Sequence, residues 1–448
     1  MLNRKITYRM YPGSTQLACL ETYLGLHQRL YNTALEERIR VYGETGQSLS
    51  FPAQCKELTG WRKQCASLKA INAQSLQVTL KRLSLAYASF FRRVKNGEVA
   101  GFPRFKPLQR FSGWGYKTYG DGWKLFQESG QNGRVRLTGI GEIRLRGKGR
   151  FTGSPKTAEV IHKSGKWYLS VSYEVTAEAL ARQQGTEAGA FDWGIMTLLT
   201  VACADGTMES IENPRWLKTR LEAIKGLQRI VSEEEIKAKA LLGLTPEEPL
   251  KKGQRLPVNA RLKRLYAQVR ALHGKIARQR HDFYHQLTAV LVSRFAFLGT
   301  EALAVKGMTK KPKAKADPNK PGEFLPNGAQ KKANLNRGIL DAAPMMLPGM
   351  LTTKAEEAGS WFAKANTRTL KPTQRCHGCG SLVKKALEER THRCSCGVTC
   401  DRDENAARTL LRWVFEGESW PGTGQAGSMV SCLTLPETPP IAVALHSA

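Results

Sequence analysis

The sequence predicts a multidomain protein of the α/β class. Its 448 residues exceed what one hydrophobic core normally serves, so two or three domains are expected. Short runs of alternating apolar and polar residues, separated by glycine turns, fill residues 101–175, whereas helical periodicity dominates before and after them. Half of the ten cysteines fall between residues 376 and 400, which is typical of a metal site and not of a disulfide framework.

The N-terminal segment predicts one strand followed by helices. Apolar side chains alternate through residues 4–11, and a Pro-Gly pair ends that strand. Helical periodicity follows, and a clear helix is expected over residues 73–94, with Asn72 as its N-cap and the Asn-Gly pair at 96–97 as its end. The first strand can therefore belong to the later β region, with the helices inserted into it.

Residues 101–175 predict a small β-barrel with a nucleic-acid surface. Basic and aromatic side chains are interleaved in its first part, where the candidate contacts are Arg104, Lys106, Tyr116 and Lys117. Basic groups hold phosphates and aromatic rings stack on bases, which explains why both types would be needed together. The alternative interpretation is an ordinary barrel core with lysines on its surface.

The charge balance indicates a polyanionic partner. Lys and Arg total 69 against 38 Asp and Glu, which gives a net charge of +31. Self-repulsion on this scale disfavours a folded protein unless something neutralises it, and nucleic acid is the commonest such partner. A solvated basic surface without a partner is the alternative.

The second half predicts a sheet flanked by long helices. Residues 189–211 indicate three successive strands, the last two joined by an Asp-Gly turn. A long helix is expected over residues 259–295, leading into an apolar run that ends at Glu301. Further helices are expected over residues 339–358 and 405–415. No window of about 18 apolar residues and no signal peptide is visible, so a cytoplasmic protein without a membrane partner is expected.

The cysteine cluster predicts one structural zinc ion. Cys376 and Cys379 form one close pair, and Cys394 and Cys396 form a second, so four thiolates can surround one Zn²⁺. Cys400 is a rival fourth ligand. A zinc ion with four protein ligands has no open coordination position, so the site is expected to be structural.

Acidic residues at element ends are candidates for a second metal site. Asp192 ends a predicted strand, Glu301 ends another, and Asp401 and Asp403 stand at the start of a helix. Carboxylates contributed by distant segments can hold two Mg²⁺ ions about 4 Å apart and support phosphodiester hydrolysis. Alternatively, Asp401 is only a favourable charge at a helix N-terminus, and Glu301 is a solvated strand end.

Several segments together resemble the TnpB family, insertion-sequence-encoded proteins related to the type V CRISPR nucleases. The strongest are FDWGI, TEALAVKGM, the CHGC and CSCG pair, and DRDENAARTLL. Weaker similarities extend along nearly the whole chain: YRMYP at 8–12, AQSLQ at 73–77, GFPRFK at 101–106, RQRHDFYHQL at 278–287 and LKPTQRCHGCG at 370–380.

This resemblance implies a domain organisation. An RNase H-like RuvC nuclease domain would comprise residues 187–370 and 401–418, with a zinc ribbon inserted at 371–400. It would follow a wedge β-barrel made of residues 1–13 and 98–186, into which a helical recognition lobe, residues 14–97, is inserted. Residues 419–448 are expected to form a disordered tail.

The resemblance also implies a function and site residues. It implies an RNA-guided DNA endonuclease that uses a guide RNA derived from the transposon end, with one protein per guide, and cuts target double-stranded DNA. Asp192 and Glu301 match the first two catalytic acids, and the acid two residues before Asn405 matches the third, which selects Asp403. Base pairing with the guide would read the target, while the protein would hold phosphates and read a short flanking motif.

A helix face is the candidate reader of that flanking motif. Gln74, Gln77 and Lys81 lie at i, i+3 and i+7 of the predicted helix and share one face. The barrel would complete this surface with Tyr116, Lys117 and Thr118. The helix face and this barrel segment are predicted to hold the flanking duplex between them. The alternative is that both glutamines only solvate a helix.

Three alternative functions stay open. A compact type V CRISPR effector would use the same chemistry with a different guide source. A guide-dependent repressor would bind without cutting, and the intact acid triad argues against it. A strand-joining transposase would need a tyrosine or histidine-pair motif that the sequence does not offer.

Overall fold

The computed structural model describes residues 2–127, 130–251, 253–320, 322–386 and 388–417. The chain divides into two units, unit 1 up to Ala181 and unit 2 from Arg182 onward. This division lies close to the expected boundary between residues 186 and 187. The predicted tail, residues 419–448, lies outside the described residues.

Unit 1 begins with a strand and four helices and continues with six strands. In chain order its elements are β1 (Leu2–Tyr11), α1 (Ser14–Thr45), α2 (Phe51–Gln64), α3 (Ala66–Lys69), α4 (Ala73–Lys95), β2 (Gly113–Tyr116), β3 (Trp123–Phe126), β4 (Gly133–Leu137), β5 (Gly141–Arg146), β6 (Ser154–Lys163), β7 (Lys166–Val175) and α5 (Ala177–Leu180). As predicted, the Asn72 side chain caps α4 by accepting a hydrogen bond from the Ser75 amide at 3.0 Å.

The strands of unit 1 form one antiparallel sheet in the order β2-β6-β7-β1-β5-β4-β3. The first strand lies in its middle, between β7 and β5, so α1–α4 are inserted after the first strand of the sheet, as the sequence indicates. The edge strands β2 and β3 form no ladder with each other among the described residues. All four residues of β2 are buried, because α1 and α4 pack on this strand.

Unit 2 alternates strands with long helices. Its elements are β8 (Glu187–Trp193), β9 (Thr197–Cys203), β10 (Met208–Glu212), α6 (Leu221–Ala240), α7 (Ala260–Arg294), β11 (Phe295–Glu301), α8 (Val305–Met308), β12 (Lys315–Ala316), β13 (Phe324–Leu325), α9 (Ala329–Ala342), α10 (Met346–Ala358), β14 (Trp361–Ala365), α11 (Thr367–Leu370), β15 (Thr391–Arg393), β16 (Thr399–Asp401) and α12 (Arg402–Glu416).

The main sheet of unit 2 has the order β10-β9-β8-β11-β14. β10, β9 and β8 are antiparallel, whereas β8, β11 and β14 run parallel. The carboxyl ends of β8 and β11 therefore meet at one edge, and α12 packs against β8, β9 and β11. The three strands, the long helix after Asn259 and the strand ending at Glu301 confirm the predicted elements of this region.

One predicted helix is wrong. Residues 339–358 form the end of α9 and the whole of α10, with a break at Ala343, whose φ is +47°. The following Pro344 disfavours helical backbone at Ala343, which explains the break.

Among the helices in the described ranges, none combines the length and apolar character needed to cross a membrane.

Candidate active site and metal centre

Asp192 and Glu301 lie side by side at the ends of two parallel strands. β8 and β11 pair with Ala190 opposite Gly299. The Thr300 hydroxyl donates to the Phe191 carbonyl at 3.0 Å, so the two strands stay together to their ends. Two further residues along this register place Glu301 beside Asp192 on the same face, with strands spaced by about 4.8 Å. Both side chains are buried.

Small residues on that face let α12 lie close to the sheet. Ala190 and Gly299 are neighbours beneath the helix, and both lie near Val414. A Cβ atom added to Gly299 would lie only 2.3 Å from Val414 Cγ2. Since α12 begins at Arg402, this close packing brings the first turn of the helix, with Asp403, to the carboxylate edge.

The structure gives different roles to the two acids at the start of α12. Asp401 is the N-cap of α12, where its Oδ1 accepts hydrogen bonds from the amides of Asp403 at 2.8 Å and Glu404 at 3.4 Å. Asp403 is half-buried, and its Oδ2 lies 3.8 Å from the Arg390 guanidinium. Asp401 thus has a structural task that accounts for its presence, whereas Asp403 does not cap the helix.

The three carboxyls influence one another electrostatically. Burial, followed by the charges of Glu301 and Asp403, raises the pKa of Asp192 well above its ordinary value. Burial also raises the pKa values of Glu301 and Asp403. In addition, Asp192 Oδ1 is buried without a hydrogen-bond partner among the described residues. A buried, unpartnered carboxylate next to other acids is costly unless a cation compensates it, so the residues fit a metal-ion site.

The cysteine cluster has the dimensions of a tetrahedral zinc site. The Sγ atoms of Cys376 and Cys396 are 3.6 Å apart, and those of Cys379 and Cys394 are 3.5 Å apart. All four sulfurs lie within 4.8 Å of one another. With Zn–S bonds of about 2.3 Å, a tetrahedron has edges of about 3.8 Å. Cys400 does not belong to this group: it lies on β16, opposite His392.

The thiols of this cluster differ in acidity. Hydrogen bonds with Ser381 lower the pKa of Cys379 to about 6, whereas burial raises the pKa of Cys376. Within the described ranges, these four thiols form the single group of three or more His, Cys, Asp or Glu side chains placed closely enough to share one metal ion, and the three carboxylates do not form such a group.

Asn405 joins the first cysteine pair to α12. Its side chain is fully buried, and its Nδ2 donates to the carbonyls of Pro372 and Arg375 at 3.3 and 2.7 Å. Its Oδ1 accepts from the His377 amide at 3.2 Å. Thr409, one turn along the helix, donates to the same Arg375 carbonyl. In the sequence, Asn405 served only as the reference point for the third acid and was not predicted to make this connection. An asparagine within a first helical turn is itself a signal of a side-chain-to-backbone contact.

The predicted DNA-reading helix is only partly exposed. Gln74 and Gln77 are half-buried, and Gln74 Oε1 has no hydrogen-bond partner among the described residues. Lys81 is exposed, and its Nζ lies 5.1 Å from the centre of the Phe51 ring. Asn72 Nδ2 donates to Asp121 at 2.6 Å, which ties the turn after β2 to the start of this helix.

The predicted barrel contacts divide into available and buried side chains. Arg104, Lys117 and Thr118 are exposed. Lys106 is half-buried, with its Nζ 4.3 Å from the centre of the Tyr31 ring. Tyr116 is only 2% exposed, and burial raises its pKa. Its ring lies in the core of unit 1 and is not offered to a nucleic acid in this structure, which corrects that part of the predicted surface.

Three family models match separate parts of the chain. Residues 1–47 match a "Helix-turn-helix domain", residues 170–311 a "Probable transposase" and residues 346–410 a "Cas12f1-like, TNB domain". Within the first of these matches the structure has one strand and one long helix, so the name of that model does not describe the local fold.

Two curated relatives match along nearly the full length. A Streptomyces pristinaespiralis protein, provisionally named RNA-guided DNA endonuclease, is 28% identical over 421 residues, which cover 92% of this chain and 89% of that protein. An Escherichia coli K12 protein, provisionally named RNA-guided DNA endonuclease InsQ, is 27% identical over 409 residues, which cover 90% of each chain.

A solved structure has a similar fold. The protein chain of a cryo-EM structure of a Cas12f1–sgRNA–target DNA complex superposes with a TM-score of 0.54 at 10% sequence identity. The match covers 92% of this chain and 98% of that one, so the similarity includes both units.

Proposed function

Because the chain belongs to the TnpB family of insertion-sequence-encoded proteins, we propose that it is an RNA-guided DNA endonuclease. Its partners are a guide RNA derived from the transposon end and the target double-stranded DNA. The names of two relatives that match over nine-tenths of the chain support this assignment. The net charge of +31 supports it independently, since a protein that holds two phosphate backbones needs such an excess.

The buried acid cluster of unit 2 is the observation that carries the nuclease assignment. We assign Asp192, Glu301 and Asp403 as the ligands of two Mg²⁺ ions in an RNase H-like RuvC site. Bound there, Mg²⁺ would supply water activation and charge stabilisation for phosphodiester hydrolysis. The unpartnered oxygen of Asp192, next to Glu301, is the strongest support, because a bound cation would compensate it.

The chain's own residues keep these ligands in place. The β8–β11 pairing fixes the first two acids on rigid strands, and the packing of Gly299 against Val414 fixes the depth of α12. Asp401 caps that helix and leaves the Asp403 carboxylate to the metal. The proposed ligands are thus carried by two strands and a helix and not by loops.

We further assign one structural Zn²⁺ to Cys376, Cys379, Cys394 and Cys396. Asn405 connects this zinc ribbon to the catalytic helix through the backbone of the first cysteine pair. The ribbon therefore supports the position of α12 besides forming its own fold.

Unit 1 supplies the other proposed domains. Its sheet corresponds to the wedge barrel, and α1–α4 correspond to the recognition lobe. Gln74, Gln77 and Lys81 on α4 and the turn with Lys117 and Thr118 are the proposed contacts to the flanking motif. Arg104 and Lys106 are proposed phosphate contacts, while Tyr116 is no longer included.

The guide is tested by purifying the protein from cells that carry its native locus and sequencing the bound RNA. We expect one RNA species that spans the end of the insertion element and continues into the sequence beyond it. A target plasmid that matches the sequence beyond that end should be cut in Mg²⁺ and left intact in EDTA. Recovery of RNAs from a repeat array would instead indicate a CRISPR effector, and recovery of unrelated cellular RNA would contradict the proposal.

The acids are tested by comparing two neighbouring substitutions. Asp403→Ala should abolish cutting while guide and target binding persist, because it removes a metal ligand. Asp401→Ala is the matched control: it removes the helix cap, costs about 0.5–2 kcal/mol of stability and leaves cutting measurable. If Asp401→Ala is inactive and Asp403→Ala cuts, the assignment of the third acid is wrong.

A further inference from the structure

An arginine–aromatic row crosses four strands of the unit 1 sheet. Tyr11 on β1 lies opposite Arg144 on β5, Arg144 lies opposite Arg134 on β4, and Arg134 lies opposite Phe126 on β3. Directly opposite residues point to the same face, so the row presents aromatic, arginine, arginine and aromatic side chains in line. We call these four residues the cross-strand row.

The cross-strand row lies on the outer face of the sheet. Tyr11 and Phe126 are 41% and 42% exposed, and the Arg134 side chain is 68% exposed. The strand neighbours of the row residues, such as Leu125 beside Phe126 and Val135 beside Arg134, point to the other face of the sheet and are buried there. The two rings are therefore at the surface of the sheet and are not part of the core of unit 1.

The same face carries an unusual excess of positive charge. Cationic side chains stand directly opposite one another in three cross-strand pairs, and like charges so placed destabilise a sheet. The pairs are Arg9 with Arg146, Arg144 with Arg134, and Lys124 with Arg136. One carboxylate, Glu142, faces them on these four strands, and it lies 2.6 Å from the Arg136 guanidinium and 3.9 Å from that of Arg134. A bound polyanion would remove this repulsion.

Cations lie over both rings, and the two aromatic residues nevertheless stay 41% and 42% exposed. Three guanidinium carbons lie 5.5, 5.8 and 5.4 Å from the centre of the Tyr11 ring, those of Arg9, Arg144 and Arg146. Arg136 and Lys124 lie 5.2 and 5.8 Å from the centre of the Phe126 ring. A shallow groove beside the Phe126 ring is lined by Asn132, Gly133, Glu142 and three arginines, Arg134, Arg144 and Arg146, and Tyr11 lies outside this lining. Stacking surfaces flanked by phosphate-binding groups suit unpaired nucleotides.

We propose that the cross-strand row is a binding site for single-stranded RNA, in which Tyr11 and Phe126 each stack on an unpaired base and the arginines between them hold the phosphates. This inference rests on the proposed function, because the RNA concerned is an unpaired part of the guide. The guide is the favoured occupant because, in the proposed function, it stays bound to the protein before and during target binding. It can therefore neutralise the repelling arginine pairs permanently, whereas DNA would do so only while it is bound. Across three strand spacings the two rings stand roughly 14 Å apart, so the site spans several nucleotides.

Binding of a short, unpaired RNA oligonucleotide of mixed sequence tests the row directly, without guide or cleavage. Tyr11→Ala and Phe126→Ala should each weaken binding roughly 5- to 150-fold and leave its salt dependence unchanged. Arg144→Gln should reduce the slope of log affinity against log salt by about 0.7, as expected for one lost phosphate contact on a single strand. Tyr11→Trp should restore binding, because it keeps a stacking surface.

Tyr42→Ala is the matched control, since Tyr42 is also an exposed tyrosine but lies on α1. It should bind RNA as tightly as the unchanged protein. Ultraviolet crosslinking of the RNA–protein complex purified from cells should join RNA to peptides containing Tyr11 and Phe126.

The inference is overturned if both ring substitutions leave RNA affinity unchanged, or if double-stranded RNA or single-stranded DNA shows the same affinity and the same losses. These outcomes are distinct from failure of the proposed function. A protein that binds RNA through the row but does not cut guided targets keeps the inference and loses the function. A guided nuclease that is insensitive to Tyr11→Ala keeps the function and loses the inference.

Discussion

Gly299 is the position where one added methyl group should disturb the proposed catalytic edge most directly. Its Cβ would lie 2.3 Å from Val414 Cγ2, whereas carbon atoms pack at about 3.5–4.0 Å. Val414 or the whole of α12 must therefore retreat by more than about 1 Å. Overpacking of this kind costs about 1–3 kcal/mol, and each kcal/mol lowers Tm by about 2–4 °C in a domain of this size.

The Gly299→Ala variant should also cut slowly, because the displaced helix carries Asp403 in its first turn. The assay combines the melting temperature of the RNA-bound protein with the single-turnover cleavage rate. Gly226→Ala on α6 is the matched control. Its Cβ meets no atom within 4 Å, so this variant should be more stable than the unchanged protein by about 0.5–1 kcal/mol, as expected when Ala replaces Gly inside a helix.

A double variant identifies the clash as the cause. Val414→Ala removes the methyl groups that the new Cβ would meet, so Gly299→Ala with Val414→Ala should melt higher than the sum of the two single effects predicts. Purely additive effects, or an unchanged melting temperature and cleavage rate for Gly299→Ala alone, would refute the view that close packing of this helix positions the third acid.

Three further predictions concern pH, zinc and sequence reading. Burial, assisted by the charge of Arg82, lowers the pKa of His27 to about 3. Below pH 6.5 the imidazole therefore binds a proton in the unfolded chain but stays neutral in the folded protein. Stability of unit 1 should therefore be full above pH 6.5 and fall steadily toward pH 3, and His27→Gln should flatten this slope in pH-dependent thermal melts. Cys396→Ser should lose zinc in elemental analysis and Cys400→Ser should keep it; the reverse result would overturn the ligand set. Gln77→Ala should change the preferred bases in a library of randomised flanks, and an unchanged preference would exclude α4 as the reader.

Local signals in the sequence predicted the elements whose causes are local. Asn72 accepts a hydrogen bond from the Ser75 amide, so the start of α4 followed from side-chain chemistry alone. Asn259 caps α7 in the same way, although that helix was predicted from its apolar periodicity. The break at Ala343 was also local, but we overlooked the proline that causes it. Tyr116 was misjudged for a different reason: periodicity within a strand cannot reveal that helices cover β2 on top of the sheet.

The candidate site shows the same limit more clearly. Each acid could be placed at the end of a strand or at the start of a helix from its neighbours in sequence. That Asp192 and Glu301 become lateral neighbours depends on parallel pairing between segments 109 residues apart, which only the family resemblance implied. The role of Asn405 depends on backbone groups some 30 residues earlier, and nothing in its local sequence specified those partners.

The order in which the chain is synthesised gives the acid arrangement a consequence in time. All strands of the unit 1 sheet precede residue 182, whereas the third acid is residue 403, so 222 residues (182–403) must still be added after unit 1 is complete. At about 5–20 residues per second this takes about 10–45 s. A nascent chain can thus offer its proposed RNA-binding face to a transcript from the same locus well before it contains all three proposed metal ligands. In this assignment RNA binding becomes possible first, and the nuclease site is complete only when α12 has folded.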